Sequence, residues 1–257
     1  MIGTGNLAFH LSAALRKAKC KLVQVVGTNK SKTEQFAKQN GFSSFTHSLT
    51  EIDSSADVCF ICVNDDKIEE ISRKIKLPGK LVLHCSGTIP LKTLYPISEN
   101  CAVLYPLYTF STSDKTVDFK KVPLFVETAN QKSKLRLMNI AKKLSSSITQ
   151  LDSVQREKLH LAAVISANFS NYLFQLAWDY LQKERVPHVK RLIPLLEKTI
   201  EKLNHNQPAI SQTGPARRGD VKTIRKHISL LKNHSEQQVV YRLFSKLIQQ
   251  HFQPKRI

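Results

Sequence analysis

One predicted helix carries the polar side chains best suited to proton transfer and substrate orientation. Apolar residues recur with helical period from 154 to 184. Four residues share a stripe about 80° wide on this helix: His160, Val164, Asn168 and Asn171. An imidazole exchanges protons near neutral pH, and a carboxamide orients a carbonyl or an imine. We therefore predict catalytic roles for His160, Asn168 and Asn171. A hydrogen-bond network between packed helices is the alternative.

The loop TGPARRGD at residues 213–220 contains a further catalytic candidate. Its glycines and proline fix an unusual backbone path, and Asp220 is a good N-cap for the next helix. Arg217 supplies a forked, permanently charged donor that suits a carboxylate or a phosphate group. We predict that Arg217 binds the small-molecule substrate, which would then be anionic, with a surface position for Arg218.

The motif GTGNLA at residues 3–8 predicts a site for a dinucleotide diphosphate. It fits the pattern G-x-G-x-x-A: the first glycine allows a tight turn, the second lets phosphate approach the backbone, and the alanine lets the helix pack on the sheet. The helix N-terminus adds free N–H groups and the positive end of its dipole. The predicted cofactor contacts here are Gly3, Thr4, Gly5, Asn6 and Leu7.

The end of the next predicted strand indicates which dinucleotide binds. An NAD site usually carries an acidic residue there, but the stretch from Leu22 to Thr33 has none. Asn29, Lys30 and Ser31 instead offer donors and positive charge, which suit a 2′-phosphate. We therefore predict NADP as the cofactor. A solvated turn that binds nothing is the alternative.

Two further strand ends complete the predicted cofactor site, because ligands of open α/β sheets bind beyond the carboxyl ends of the strands. The segments are VNDD (63–66) and HCSGT (84–88). We predict cofactor contacts from Val63, Asn64, Asp65, His84 and Ser86. For the histidine, a hydrogen-bonded structural role at the strand end is the alternative.

The elements that must position these groups divide the chain in two. Apolar strands are predicted at 21–28, 57–63, 80–86, 101–106, 122–127 and 147–152, with helices between several of them. This alternation predicts a Rossmann-type parallel sheet covered on both faces, over residues 1–152. The strand signals then end, and residues 153–257 are predicted to form an all-helical substrate and dimerisation domain.

Only Met1 and Ile2 precede the glycine turn, although such a turn normally follows a strand of about five or six residues. We expect further residues ahead of Met1, with a short, truncated first strand as the alternative.

Cys59 and Cys62 form a CxxC within a predicted strand, where residues three apart point to opposite faces. We predict apolar packing for them and no metal site.

The composition and charge of the chain limit the kinds of function that we predict for it. The net charge of +19 over 257 residues is spread along both halves, without the basic stripe and interleaved aromatics of a nucleic-acid binder. We predict a lysine-rich solvated surface, with an anionic cofactor or substrate accounting for part of the charge. The chain has no run of eighteen apolar residues and no leader pattern, so we expect a cytoplasmic protein without membrane spans.

Six segments follow one another in an order that resembles a known family: IGTGNLAFHL, FICVNDD, LHCSGT, LYPLYTF, HLAAVISANFSNYL and QTGPARRGD. Over nearly the whole chain they resemble bacterial Rossmann-like NADP oxidoreductases whose C-terminal helical domain has no known function. The plan is also similar, more distantly, to pyrroline-5-carboxylate reductase and to the 6-phosphogluconate and 3-hydroxyacid dehydrogenases. The resemblance implies NADP binding and a helical domain, 6-phosphogluconate dehydrogenase C-terminal-like, that forms a homodimer.

The resemblance leaves the reaction open. In the 3-hydroxyacid dehydrogenases the matching helix carries a lysine four residues before an asparagine, and here that position is Val164. We predict hydride transfer between nicotinamide and a small carbonyl, alcohol or imine substrate. The alternative, which the missing lysine favours, is a non-catalytic NADP-binding sensor or partner protein.

Overall fold

The computed structural model describes residues 1–114 and 117–252. The chain divides into two compact units: the first is Met1–Val164, and the second comprises the described residues from Ile165 onward. All strands of the described chain belong to the first unit, whereas the second is helical. The predicted fold class, a Rossmann-type sheet domain followed by helices, is confirmed.

The sheet of the first unit contains, within the described residues, seven strands: β1 (Gln24–Val26), β2 (Ser44–Thr46), β3 (Val58–Ile61), β4 (Leu81–His84), β5 (Cys101–Pro106), β6 (Leu124–Thr128) and β7 (Ile148–Gln150). β2 pairs with β1, and the other strands follow in the order β3-β4-β5-β6-β7. Every pair is parallel except β5 with β6. Most carboxyl ends therefore meet at one edge.

Ile2 occupies the place between β1 and β3. It forms parallel bridges to Val26 and Ile61. Its N–H donates to the carbonyl of Phe60, and its own carbonyl accepts from the N–H of Cys62, both at 2.8 Å. The chain therefore leaves the sheet at Gly3, on the edge where β1 and β3 also end.

β6 runs against β5, which corrects the prediction of an all-parallel sheet. Tyr105 pairs with Phe125 in this antiparallel ladder. The cause lies in the connection between the strands: a parallel crossover needs a dozen or more residues, usually a helix. In its described part, the segment 107–123 contains only a 3-10 turn at Phe119–Lys121, so the chain returns beside β5 in the opposite direction.

The sequence pattern does not predict β2. This strand has three residues, and its one large apolar side chain, Phe45, is only partly buried. It pairs with β1 alone, in the register that joins Gln24 to Ser44. Such a short edge strand gives no alternation of apolar and polar residues to detect.

Among its described residues, the first unit has five α-helices: α1 (Asn6–Lys17), α2 (Lys30–Asn40), α3 (Asp65–Lys74), α4 (Gln131–Leu144) and α5 (Ser153–Ala163). Successive residues of β3 pack into different hydrophobic cores on the two faces of the sheet. Phe60 lies in the core that contains Leu11 of α1. Ile61 lies in the core that contains Ile68 of α3. Both faces of the sheet are therefore covered. Cys59 and Cys62 also lie in different cores.

The second unit contains, within the described residues, α6 (Ser170–Lys183), α7 (Ile193–Lys202), α8 (Pro208–Ser211), α9 (Pro215–Arg218), α10 (Val221–Leu230) and α11 (Ser235–Phe252). α8 and α9 are short helices inside residues 204–220, a segment whose many turn-forming residues predict a loop. In the described chain, no helix is both long enough and apolar enough to cross a membrane.

The predicted long helix is interrupted. Residues Val164–Phe169 form a π-helix, which has more residues per turn than an α-helix and redirects the side chains that follow. The prediction that His160, Val164, Asn168 and Asn171 share one helix face assumes an uninterrupted α-helix. Because the π-helix lies between these residues, that prediction is wrong. The compact units divide within this π-helix, later in the chain than the predicted boundary at Asp152, which is the N-cap of α5.

Candidate active site

Gly3 makes the turn at which the chain leaves the sheet. Its φ is +107°, in the region that favours glycine, and a Cβ at this position would collide with the carbonyl of Cys62. The same hypothetical Cβ would lie 3.1 Å from Val63. The glycine turn and the end of β3 are therefore in direct contact.

Gly5 is the N-cap of α1, and its surroundings are more open than those of Gly3. Its φ of −79° is open to any residue, and no atom lies within 4 Å of the place where a Cβ would stand. α1 has no side-chain cap and no acidic residue in its first turn, so its first N–H groups lack helical acceptors. Ala8 is fully buried against the sheet. These features fit a diphosphate at the helix N-terminus.

The side chain of Asn6 is engaged within the unit. Its Nδ2 donates to the carbonyl of Phe110 at 3.1 Å, and Phe110 stacks on Phe119. The loop that follows β5 is thereby held against the start of α1. Thr4 and Leu7 lie in the same turn, and Leu7 packs partly on the core.

The end of β1 lies beside the glycine turn. A Cβ at Gly27 would lie 3.2 Å from the methyl group of Thr4, and it would collide with Thr33. Asn29 is the N-cap of α2, and its Oδ1 accepts from the N–H of Lys32 at 3.0 Å. Its Nδ2 and the exposed side chains of Lys30, Ser31 and Lys32 leave donors and positive charge here. No acidic residue stands in the first turn of α2.

The start of α3 presents two groups of different character. Asn64 is its exposed N-cap and makes no capping hydrogen bond with its side chain. Asp65 is partly buried and accepts a hydrogen bond from the hydroxyl of Thr88. This bond ties the loop after β3 to the loop after β4.

His84 has no exposed surface. Its Nδ1 accepts from the N–H of Ser86 at 3.2 Å. Burial, with the nearby Arg156 cation as the second cause, lowers the pKa of His84 to about 3. This favours the structural alternative for His84. Ser86 shapes the next turn, since its Oγ accepts from the N–H groups of Thr88 and Ile89, both at 3.0 Å.

His160 of α5 lies against this turn. A Cβ at Gly87 would be 2.5 Å from the Nδ1 of His160, so only glycine leaves room for the ring. The hydroxyl of Tyr105 is 2.9 Å from the same Nδ1. The histidine predicted on the long helix therefore meets the ends of β4 and β5.

A buried ion pair anchors α5 and with it His160. Arg156 is 1% exposed and pairs with Glu127 of β6. Its second guanidinium nitrogen donates to the carbonyl of Ile89 at 2.5 Å. Ser153 donates to Glu127 at 2.8 Å and accepts from the N–H of Leu91. These bonds explain why α5 belongs to the first compact unit.

The remaining predicted catalytic residues belong to the second unit. Asn168 and Asn171 are exposed there. Arg217 donates to the carbonyl of Phe252 at 3.1 Å and lies 4.3 Å above its ring centroid. Asp220 caps α10 as predicted, accepting from Thr223 at 3.0 Å. The structure thus brings His160 together with the strand ends, while the two asparagines and Arg217 stay predictions.

Sequence reasoning missed two residues that shape this region: Tyr105 and Arg156. The aromatic segment 105–110 is noticeable in the sequence, but core packing explains it equally well. An arginine in an amphipathic helix looks like a surface residue, and its partner Glu127 lies in another segment of the sequence. Only long-range pairing reveals these contacts.

Comparison with known proteins shows the family of this chain. A family model described as "NADP oxidoreductase coenzyme F420-dependent" matches residues 1–87, and "Domain of unknown function (DUF2520)" matches residues 122–248. The crystal structure titled "putative NADP oxidoreductase BF3122 from Bacteroides fragilis" is 32% identical, with a TM-score of 0.87 over 97% of this chain and 96% of that one. The chain belongs to this NADP oxidoreductase family with a DUF2520 domain. No curated protein matched its sequence.

More distant structures share the fold of this NADP oxidoreductase family. Protein TM1727 from Thermotoga maritima is 21% identical, with a TM-score of 0.69 over 97% of this chain and 96% of that one. An imine reductase from Myxococcus stipitatus in complex with NADP+ is 14% identical, with a TM-score of 0.67 over 97% and 92%. A reductive aminase from Aspergillus terreus, in complex with NADPH and ethyl levulinate, is 12% identical with a TM-score of 0.71 over 97% and 91%.

Proposed function

We propose that this protein is an NADP-dependent oxidoreductase that acts on a small carbonyl, alcohol or imine substrate. The observation that carries the proposal is the pair of glycines at the start of α1. Gly3 allows the turn, and Gly5 leaves open space beside an uncapped helix N-terminus. Open space next to free N–H groups is what a diphosphate needs.

The chain's own residues have separable tasks in this proposal. The backbone at Thr4, Gly5, Asn6 and Leu7 binds the diphosphate, and Asn29, Lys30 and Ser31 bind the 2′-phosphate. Val63, Asn64 and Asp65 border the site at the end of β3. NADPH, when bound, supplies a hydride to an electrophilic carbon. Ser86 contributes to the cofactor site through the turn after β4, which its Oγ holds.

His160 is proposed to serve the proton side of the reaction. It stands at the ends of β4 and β5, where ligands of open α/β sheets bind. Reduction of a carbonyl adds one hydride to carbon and one proton to oxygen, and an imidazole is suited to supply the proton. Asn168, Asn171 and Arg217 are proposed to bind or orient the substrate, on the basis of their residue types.

The alternative function, a non-catalytic NADP-binding protein, is supported by Val164. This residue stands where the 3-hydroxyacid dehydrogenases have their lysine, so that acid/base group is missing. Binding of NADPH without turnover of any carbonyl, imine or coenzyme F420 would support this alternative over the proposal.

Fluorescence titration with NADPH and NADH tests the cofactor. We expect NADPH to bind at least tenfold more tightly, because the end of β1 offers Lys30 and Lys32 and no acidic residue. Lys30→Ala should weaken NADPH binding and leave NADH binding unchanged. Lys38→Ala, on the last turn of the same helix, is the matched control and should change neither. Equal affinities for both nucleotides in the wild type would contradict the NADP proposal.

We also propose that the second unit pairs with a second copy of the chain. Its surface exposes many large apolar side chains, and on α11 three of them recur at helical spacing: Val239, Leu243 and Leu247 are each about half exposed or more. An open apolar cavity of about 610 Å³ lies among α6, α9, α10 and α11. Apolar surface of this extent is typical of interfaces.

A further inference from the structure

The hydroxyl of Tyr105 and the ring of His160 form a hydrogen-bonded pair in the first unit. They are 2.9 Å apart at Nδ1, and their rings meet edge to face with centroids 5.8 Å apart. Tyr105 is 8% exposed, whereas His160 is only partly buried. Gly87 also lies against the imidazole. The ring is therefore held in position, and no described residue is hydrogen-bonded to its Nε2.

The direction of this hydrogen bond decides the tautomer of His160. If Nδ1–H donated, the phenolic proton of Tyr105 would need another acceptor, and no other described residue is hydrogen-bonded to this hydroxyl. An unpaired buried donor is unfavourable. Burial, reinforced by the charge of Asp65 and opposed by Arg156, raises the pKa of Tyr105, so the phenol stays protonated. The hydroxyl therefore donates to Nδ1, and the neutral ring carries its proton on Nε2.

We propose that Tyr105 fixes His160 as the Nε2–H tautomer and supplies, through the ring, the proton of the reduction. This inference rests on the proposed function. As hydride adds to the carbonyl carbon, the π pair moves to oxygen, and oxygen takes the Nε2 proton. Nδ1 takes the phenolic proton. Nδ1 then returns this proton to the tyrosinate as water protonates Nε2, which restores the starting tautomer. The imidazole stays neutral throughout, so Tyr105 is a positioning residue that acts through His160.

The inference also narrows the substrate class. A neutral Nε2–H needs a lone pair on the substrate atom that it faces. A carbonyl oxygen or a neutral imine nitrogen has one, whereas a cationic iminium has none. We therefore expect the preferred substrates to be carbonyl compounds or neutral imines.

The charged and titratable groups around the pair come from four elements. Asp65 of α3 is hydrogen-bonded to Thr88, and Arg156 of α5 is ion-paired with Glu127 of β6. His84 of β4 has its pKa lowered to about 3 by burial, so it is neutral near pH 7. With these groups held in place, the phenol of Tyr105 is expected to govern the loss of activity at high pH.

Nuclear magnetic resonance of the 15N-labelled full chain tests the tautomer without any turnover. Two-bond 1H–15N correlations should show His160 with a protonated Nε2 and an unprotonated Nδ1. Tyr105→Phe keeps the ring packing and should give a mixture of tautomers. Tyr108→Phe, at an exposed tyrosine in the loop after β5, is the matched control and should match the wild type. A protonated Nδ1 in the neutral wild-type ring would overturn the inference, whatever the outcome for the proposed function.

Kinetic measurements distinguish a proton relay from Tyr105 through His160 from a role of Tyr105 in packing alone. With NADPH and ethyl levulinate or cyclohexanone as probes, Tyr105→Phe should lower kcat at least tenfold and leave the KM for NADPH unchanged. Placing 3-fluorotyrosine, whose phenol is more acidic, at position 105 should move the high-pH limb of kcat to lower pH. The same replacement at position 108 should not. An unmoved limb in an active enzyme would refute the relay, whereas absence of turnover would count against the proposed function.

Discussion

At the residue scale, Gly5 allows a test in which folding and binding separate. Its backbone conformation suits alanine, and the space for a methyl group is open. Gly5→Ala should therefore fold with an unchanged Tm. The methyl group would occupy the space proposed for the diphosphate, so the Kd for NADPH should rise at least tenfold, about 1.4 kcal/mol. Thermal unfolding and fluorescence titration measure the two effects. A folded Gly5→Ala protein with wild-type affinity would contradict the phosphate site.

His84 predicts a dependence of stability on pH. Its folded pKa of about 3 lies below the unfolded value of about 6.5. Above pH 6.5 the ring is neutral in both states and contributes no slope. Between these values the unfolded state binds a proton that the folded state does not, so the free energy of unfolding falls as pH falls, by about 1.4 kcal/mol per unit.

Chemical denaturation of the wild type and of His84→Gln between pH 7 and pH 4 measures this contribution. The difference between the two proteins should shrink or change sign as the pH decreases, because only the wild type carries the buried imidazole. Parallel curves for the two proteins would show that His84 is protonated equally easily in the folded and unfolded states.

The sequence predicts the backbone around this candidate site well where local geometry decides. Gly3 and Gly5 follow from a spacing rule that concerns one turn, and Asp220 follows from the start of one helix. His160 is predicted from its helix, but its neighbours are not, because Gly87 and Tyr105 are distant in sequence. Position on a strand end does not reveal burial either, so the sequence leaves the role of His84 open.

At the element scale, long apolar segments are predicted and short or bent ones are not. The near-continuous strands β3, β4 and β5 and the amphipathic helices between them follow from periodicity. β2 is too short to show a pattern. The antiparallel direction of β6 depends on what the connection after β5 contains, and the π-helix at Val164–Phe169 has no signal in the apolar repeat.

The buried ion pair of Arg156 and Glu127 holds α5 against the sheet. Removing one partner of this pair should therefore lower the stability of the first unit. Glu127→Gln should lower the free energy of unfolding of the first unit by about 3 kcal/mol, because it leaves a buried guanidinium without a counter-charge. Glu70→Gln is the matched control, since Glu70 pairs with lysines on the exposed face of α3 and should have little effect. Urea denaturation followed by circular dichroism measures both. Equal effects would mean that the buried pair does not hold α5.

At the scale of the whole molecule, the exposed apolar row on α11 predicts the oligomeric state. In a monomer, Val239, Leu243 and Leu247 would remain in water, whereas a symmetric contact between two copies would bury each row against the other copy. We expect a dimer by size-exclusion chromatography with light scattering, and Leu243→Lys should shift it toward monomer because a lysine would be buried without a partner. Leu135→Lys is the matched control, since Leu135 is 60% exposed on α4 of the first unit and should leave the dimer intact. A dimer that survives Leu243→Lys unchanged would exclude this face as the interface.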